Sequence, residues 1–207
     1  MARKNNRKLW GEFIRSGATQ KSSGTPTLTS SRSNALKGFF LGIDPSLRGT
    51  GISVVKSNGK TCQLVHSEVF RFPPTWPHNS CLGEISRRID ELFSHYSIDQ
   101  TAIENAIYVQ NFRTALTLGA ARGAAIAAVA LRGVPIFEYP PLRIKQALCG
   151  YGRASKEQIR KTLIQLVEGV TEKISLDESD ATAVALCHWY TYRPALEAAK
   201  NNQDNRS

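Results

Sequence analysis

From residue 38 to residue 190 the chain is a series of short apolar blocks, each with a readable period. Phe39, Phe40, Leu41 and Ile43 make a run that gives out at Asp44, and Ile52, Val54 and Val55 resume it beyond a glycine-punctuated turn. The pattern predicts three consecutive strands over 39–44, 51–57 and 63–72. Asn58-Gly59 joins the last two and favours a tight hairpin. Ile85, Ile89, Leu92 and Phe93 then recur at helical spacing, with Arg87, Arg88, Asp90 and Glu91 facing away. Residues 101–104 read as a strand ending in Glu104, 112–131 as a long helix, and 135–139 as a fifth strand. A short helix over 141–149, a glycine-marked loop over 150–154 and a helix from 155 follow. Ile159, Leu163, Leu166 and Val167 form the buried stripe of that last helix. A final helix runs over 177–190 and turns Ala181, Val184, Ala185 and His188 to one side. The order β-β-β-α-β-α-β-α-α-α predicts an α/β fold with a five-stranded mixed sheet and helices on both faces, the order of the ribonuclease-H-like fold.

The helix over 112–131 is almost wholly small and apolar, with Gly119, Gly123 and Ala127 on one face. A glycine inside a helix costs about 1 kcal/mol relative to alanine, so two of them predict a closely packed face. A helix that is apolar on most sides must be covered on most sides, by the sheet and by another helix or a second copy of the chain. We expect a homodimer.

Charge changes this picture less than its total suggests. The 207 residues carry a formal charge of +10, but residues 1–37 hold eight Lys/Arg and one acid. The body is only mildly basic, so a nucleic-acid partner has to be argued from motifs. Residues 1–37 read as a disordered basic extension, 38–193 as one domain and 194–207 as a polar tail. The extension is Arg- and Ser-rich and acid-poor, so an organellar address stays open beside a cytoplasmic one. Cys62, Cys81, Cys149 and Cys187 show no CxxC spacing and read as reduced thiols. The longest uninterrupted apolar stretch, 124–131, is too short to span a membrane.

Acids close three blocks: Asp44, Glu104, and the pair Asp177/Asp180. Each has a plain reading. Asp44 can cap a turn, Glu104 can be a solvated strand end, and Asp177 with Asp180 can form a helix-capping pair. Gathered together, they could not all stay ionised without cations. Oxygen-only ligands select Mg²⁺ or Mn²⁺, and two such ions suit in-line phosphodiester hydrolysis. His66, His78 and His95 stand apart from these blocks, and His188 reads as core or surface.

Six blocks, in order, resemble the RuvC family of Holliday-junction resolvases. They are Leu41-Gly42-Ile43-Asp44-Pro45-Ser46-Leu47-Arg48-Gly49-Thr50-Gly51, Ala102-Ile103-Glu104-Asn105, the segment from Leu116 through Gly119, Arg122 and Gly123 to Ala124, Phe137-Glu138-Tyr139, Ile144-Lys145-Gln146, and Asp177-Glu178-Ser179-Asp180-Ala181. The resemblance implies a dimeric endonuclease that nicks four-way DNA junctions symmetrically with two Mg²⁺ per subunit, Mn²⁺ substituting. It also implies the branch-migration proteins RuvA and RuvB as partners. It puts the metal on Asp44, Glu104, Asp177 and Asp180, and puts Lys145 and Lys156 beside the scissile phosphate. Arg48, Arg113, Arg122, Arg143, Arg153 and Arg160 are candidate phosphate contacts, and Tyr108 and Phe112 candidate base-stacking groups. The family's usual aromatic position, three residues after the second acid, is Ile107 here. Other readings are an RNA-processing nuclease of the same fold and a junction-binding module without cleavage. An actin-like ATPase or sugar kinase would need a second glycine-rich phosphate loop, which this chain does not show.

Overall fold

The computed structural model describes residues 36–105 and 111–192. The expected disordered extension before residue 36, the tail beyond 192 and Tyr108 lie outside the described residues. Strands β1 (Lys37–Asp44), β2 (Gly49–Asn58) and β3 (Cys62–Arg71) form an antiparallel meander. Helix α1 (His78–His95) leads into β4 (Ile98–Glu104), parallel to β1 on its other side. Helix α2 (Phe112–Leu131) leads into β5 (Ile136–Tyr139), parallel to β4. Helices α3 (Pro141–Cys149) and α4 (Lys156–Leu166), a short β6 (Val167–Glu168) and helix α5 (Leu176–Thr191) complete the described chain.

The sheet has six strands in the order β5-β4-β1-β2-β3-β6, where five were expected. Strand β6 pairs only Val167 and Glu168 with Cys62 and Gln63, and two residues leave no alternation to read. Helix α4 therefore ends one residue before the expected stripe does. Val167 remains buried, but as the residue that ends the helix, its N–H bonded to the Leu163 carbonyl, and starts the edge strand.

Strand alternation divides the core between two layers. Leu41, Ile43, Ile52, Val54 and Ile103 meet α1 and α2, while Phe40, Val55 and Ala102 meet α3, α4 and α5. Helix α5 crosses the middle of the sheet, and residues 181–189 are all buried. Its expected inner side is thus only part of its contact. Small residues let the sheet reach it from below and α3 and α4 from the flanks. Two glycines set the depth. A Cβ on Gly42 would lie 2.8 Å from the Ala185 Cβ, and nearer still to the Ala181 carbonyl. A Cβ on Gly51 would lie 2.8 Å from the Asp177 carbonyl. Gly51 has no positive φ, so close approach is what it provides.

His188 is fully buried near the far end of α5. Tyr139 Oη lies 2.7 Å from its Nδ1 and Gln100 Oε1 lies 2.7 Å from its Nε2. The amide oxygen can only accept, so Nε2 carries the proton and Nδ1 accepts from the tyrosine hydroxyl. Phe137 stacks on the ring at 4.6 Å. Burial pushes His188 down to about 4. The unfolded chain takes that proton near 6.5, so below 6.5 it binds more protons than the fold does. Stability should fall as pH drops from 6.5 toward 4, by about 3 kcal/mol in total from this group. Urea unfolding across that range checks it, and His188→Phe should flatten the slope.

Helix α2 packs Ala121, Ala125, Ala128 and Val129 inward and runs beside α1. The expected close packing at Gly119 and Gly123 does not occur among the described residues, none of which comes within 4 Å of a Cβ built on either, the helix's own backbone aside. Phe112 and Leu116 on the same outer face are exposed. By length and composition alone this helix could cross a membrane. It is nonetheless fastened to the sheet layer, where Arg122 pairs with Glu138 of β5.

Candidate active site

Three elements bring the acids to one end of the sheet. Ile43 pairs with Ile103 in parallel register, so Asp44 and Glu104 are neighbours across adjacent strand ends. Both project on the α5 side, because the residues two before them, Gly42 and Ala102, face that layer. Helix α5 begins over the same end. Ser175 caps it by accepting from the Glu178 N–H, and the Glu178 carboxylate accepts from the Ser175 N–H in return. The capping pair is therefore Ser175 and Glu178, which leaves Asp177 and Asp180 without capping duty.

Asp44, Glu104 and Asp180 line a cleft of about 290 Å³, with Lys145 and Lys156 on its wall and Ile144, Ile159 and Ala183 among its apolar lining. Lys145 comes from α3, while Lys156 is the first residue of α4, whose cap is Ser155. The Lys156 ammonium pairs with Asp180, and that hydrogen bond holds the lysine above its usual value. Burial, then the charges of Glu104 and Asp180, push Asp44 up to about 7, against the pull of Lys156. Burial and Asp180 likewise raise Glu104, against the pull of Lys156, a hydrogen bond with Asp44 and Lys145. Asp177 is turned to the edge, where Arg71 at the end of β3 holds it at 2.9 Å.

The donor set suits a hard divalent cation: all carboxylate oxygen, clustered charge, and an apolar wall that limits water. A cation would offset both the burial of these carboxylates and their mutual repulsion. Among the described residues no three such side chains form a ready-made metal cluster, and Lys156 and Arg71 pair with the two late aspartates.

The candidate phosphate contacts are scattered. Arg113, Arg143 and Arg153 are exposed, as is Phe112. Arg48 instead braces the loop before α1, donating to the carbonyls of Pro73 and, at 2.8 Å, Trp76. Arg122 is paired with Glu138. Arg160 pairs with Glu157 and donates to the Glu172 carbonyl at 2.8 Å. Sequence reasoning passed over Arg71, Ser67 and Glu178. Ser67 Oγ donates to Glu178 at 2.8 Å, so β3 reaches the first turn of α5 twice. Arg71 closes the strand beside the turn that follows Asp44, and that position was the available signal.

A family model described as crossover junction endodeoxyribonuclease RuvC matches residues 40–188. The chain is 40% identical over 166 residues to a protein of that name from Trichlorobacter lovleyi, covering 76% of this chain and 88% of the relative. It is 41% identical over 149 residues to one from Paraburkholderia phytofirmans, covering 72% and 82%. The structure resembles Thermus thermophilus RuvC in complex with a Holliday junction substrate, with a TM-score of 0.69 and 31% identity over 74% of this chain and 93% of that one. The family model, the identity to these relatives and the likeness of the fold agree, and the chain belongs to the RuvC family of crossover junction endodeoxyribonucleases.

Proposed function

We propose that this protein resolves four-way DNA junctions by paired symmetric nicks in homologous recombination and repair. The observation that supports this most is Asp44, Glu104 and Asp180 lining one cleft with Lys145 and Lys156, in a chain of the RuvC family. Asp44, Glu104, Asp177 and Asp180 would hold two Mg²⁺, with Mn²⁺ able to substitute. When bound, such ions activate the attacking water and stabilise the leaving 3′ oxygen. The protein's own groups set the geometry. Asp44 and Glu104 are fixed by strand register, and Asp180 by the cap and depth of α5. Lys145 and Lys156 offer positive charge to the phosphate as its negative charge grows. Phosphate contacts of this kind position DNA without reading its sequence, so selectivity comes from junction shape.

A two-fold substrate is matched by a two-fold enzyme. The open α2 face, with Leu116, Gly119, Gly123 and Ala127, is where we place the second copy, since small residues there admit another helix closely. Cleavage of a synthetic junction but not a linear duplex, in Mg²⁺ but not in chelator, tests the activity. Light scattering should give twice the chain mass, and Gly123→Arg should yield a monomer that no longer makes paired nicks. We assign the protein to the bacterial cytoplasm, with RuvA and RuvB as its partners in branch migration.

A further inference from the structure

Two side-chain links run from β3 to the first turn of α5, and they differ in kind. Ser67 to Glu178 is a part-buried link at 2.8 Å, and Glu178 is bound up in the helix cap through Ser175. Arg71 to Asp177 lies at the surface, with the two side chains 66% and 42% exposed. It also occupies a carboxylate that the reading above assigns to a cation. The first link serves architecture. The second stands where a ligand has to arrive.

We propose that Arg71 is an internal counter-ion for Asp177, one that a divalent cation must displace. The proposal rests on Asp177 being a metal ligand. The acids gathered at this end of the sheet repel one another. A guanidinium on Asp177 offsets that repulsion. It also ties up a carboxylate oxygen through a charge-assisted bond. Arginine cannot leave by losing its proton, so it yields only to a competing cation or to solvent. Exposed pairs of this sort are weak, so the competition is easily won and its effect on affinity is modest but of definite sign. Lys156 stands to Asp180 as Arg71 does to Asp177. Lysine 156 also faces the cleft, however, and only Arg71 separates the counter-ion role from the phosphate role.

The test is Mn²⁺ binding to the full chain, without DNA, by calorimetry. Arg71→Ala should bind Mn²⁺ about threefold more tightly than the parent. In an Asp177→Asn background the same change should have no effect, since the two act as one unit. In chelator, Arg71→Ala should lower Tm by about 2 °C, and saturating Mn²⁺ should erase the deficit. Ser67→Ala should lower Tm with and without Mn²⁺, as a purely architectural link would. Arg71→Lys should restore most of the parent behaviour. Unchanged or weaker Mn²⁺ binding by Arg71→Ala overturns the proposal. So does a gain that persists undiminished in Asp177→Asn, which would mark a general field effect. A parent protein that binds no Mn²⁺ would sink the metal assignment itself, and the proposal with it.

Discussion

Asp44→Asn should remove junction nicking and leave both the fold and junction binding in place. Asp44 lines the cleft with Glu104 and Asp180, and burial, then their charges, push it up to about 7. Asparagine keeps its shape and one carbonyl oxygen but supplies no charge to a cation. Metal stabilisation of the reacting phosphate is worth several kcal/mol, so the rate should fall by about 10³-fold or more. The fold should not suffer, because the substitution removes a buried group that is repelled by its neighbours. Binding should hold or tighten, since one negative charge near the DNA phosphates is gone. A gel assay of cleavage beside a mobility-shift assay in Ca²⁺ separates the two outcomes. Cleavage within tenfold of the parent would remove Asp44 from the centre of the chemistry.

Gly42→Ala should damage stability and activity together. The added methyl would meet the Ala181 carbonyl and the Ala185 backbone N–H, and neither is a flexible side-chain tip that could swing aside. Overpacking of this sort costs about 3 kcal/mol or more when backbone must move. The helix that moves is α5, which carries Asp177 and Asp180. Cleavage should therefore drop even at temperatures where the variant is folded, whereas Gly49→Ala, with nothing within 4 Å, should do neither. Urea unfolding and the junction assay together test the pair. A fully stable, fully active Gly42→Ala would mean that the depth of α5 does not set the site.

Much of this was legible along the chain because the strands are short apolar, β-branched runs bounded by turn residues. The apolar run ending at Asp44 and the short strand ending at Glu104 each announced an acid at a strand end, and parallel pairing puts such ends together. The capping of α5 was not legible: Ser175 and Asp177 are both good N-cap residues three positions before an acid, and only geometry chooses between them. The two-residue β6 was hidden because it continues the apolar stripe of α4. The role of Gly42 was hidden too, since a glycine inside a strand can mark a bulge, a bend or close approach. The small residues of α2 predicted a closely packed face, yet among the described residues the side bearing Gly119 and Gly123 meets nothing. Arg71 has no periodic signature, because what defines it is a partner on α5, more than a hundred positions away in the sequence.

The acids are drawn from both ends of the described chain: Asp44 ends its first strand, while Asp177 and Asp180 open its last helix. During synthesis the early strands leave the ribosome long before α5 exists. A nascent polypeptide, or a fragment cut anywhere before residue 176, holds at most half of the proposed ligand set and lacks the helix that covers the middle of its sheet. Such a fragment should be an unfinished domain with no cutting power. The polypeptide should become able to break DNA only when its closing helix seats, at the step that also covers the sheet.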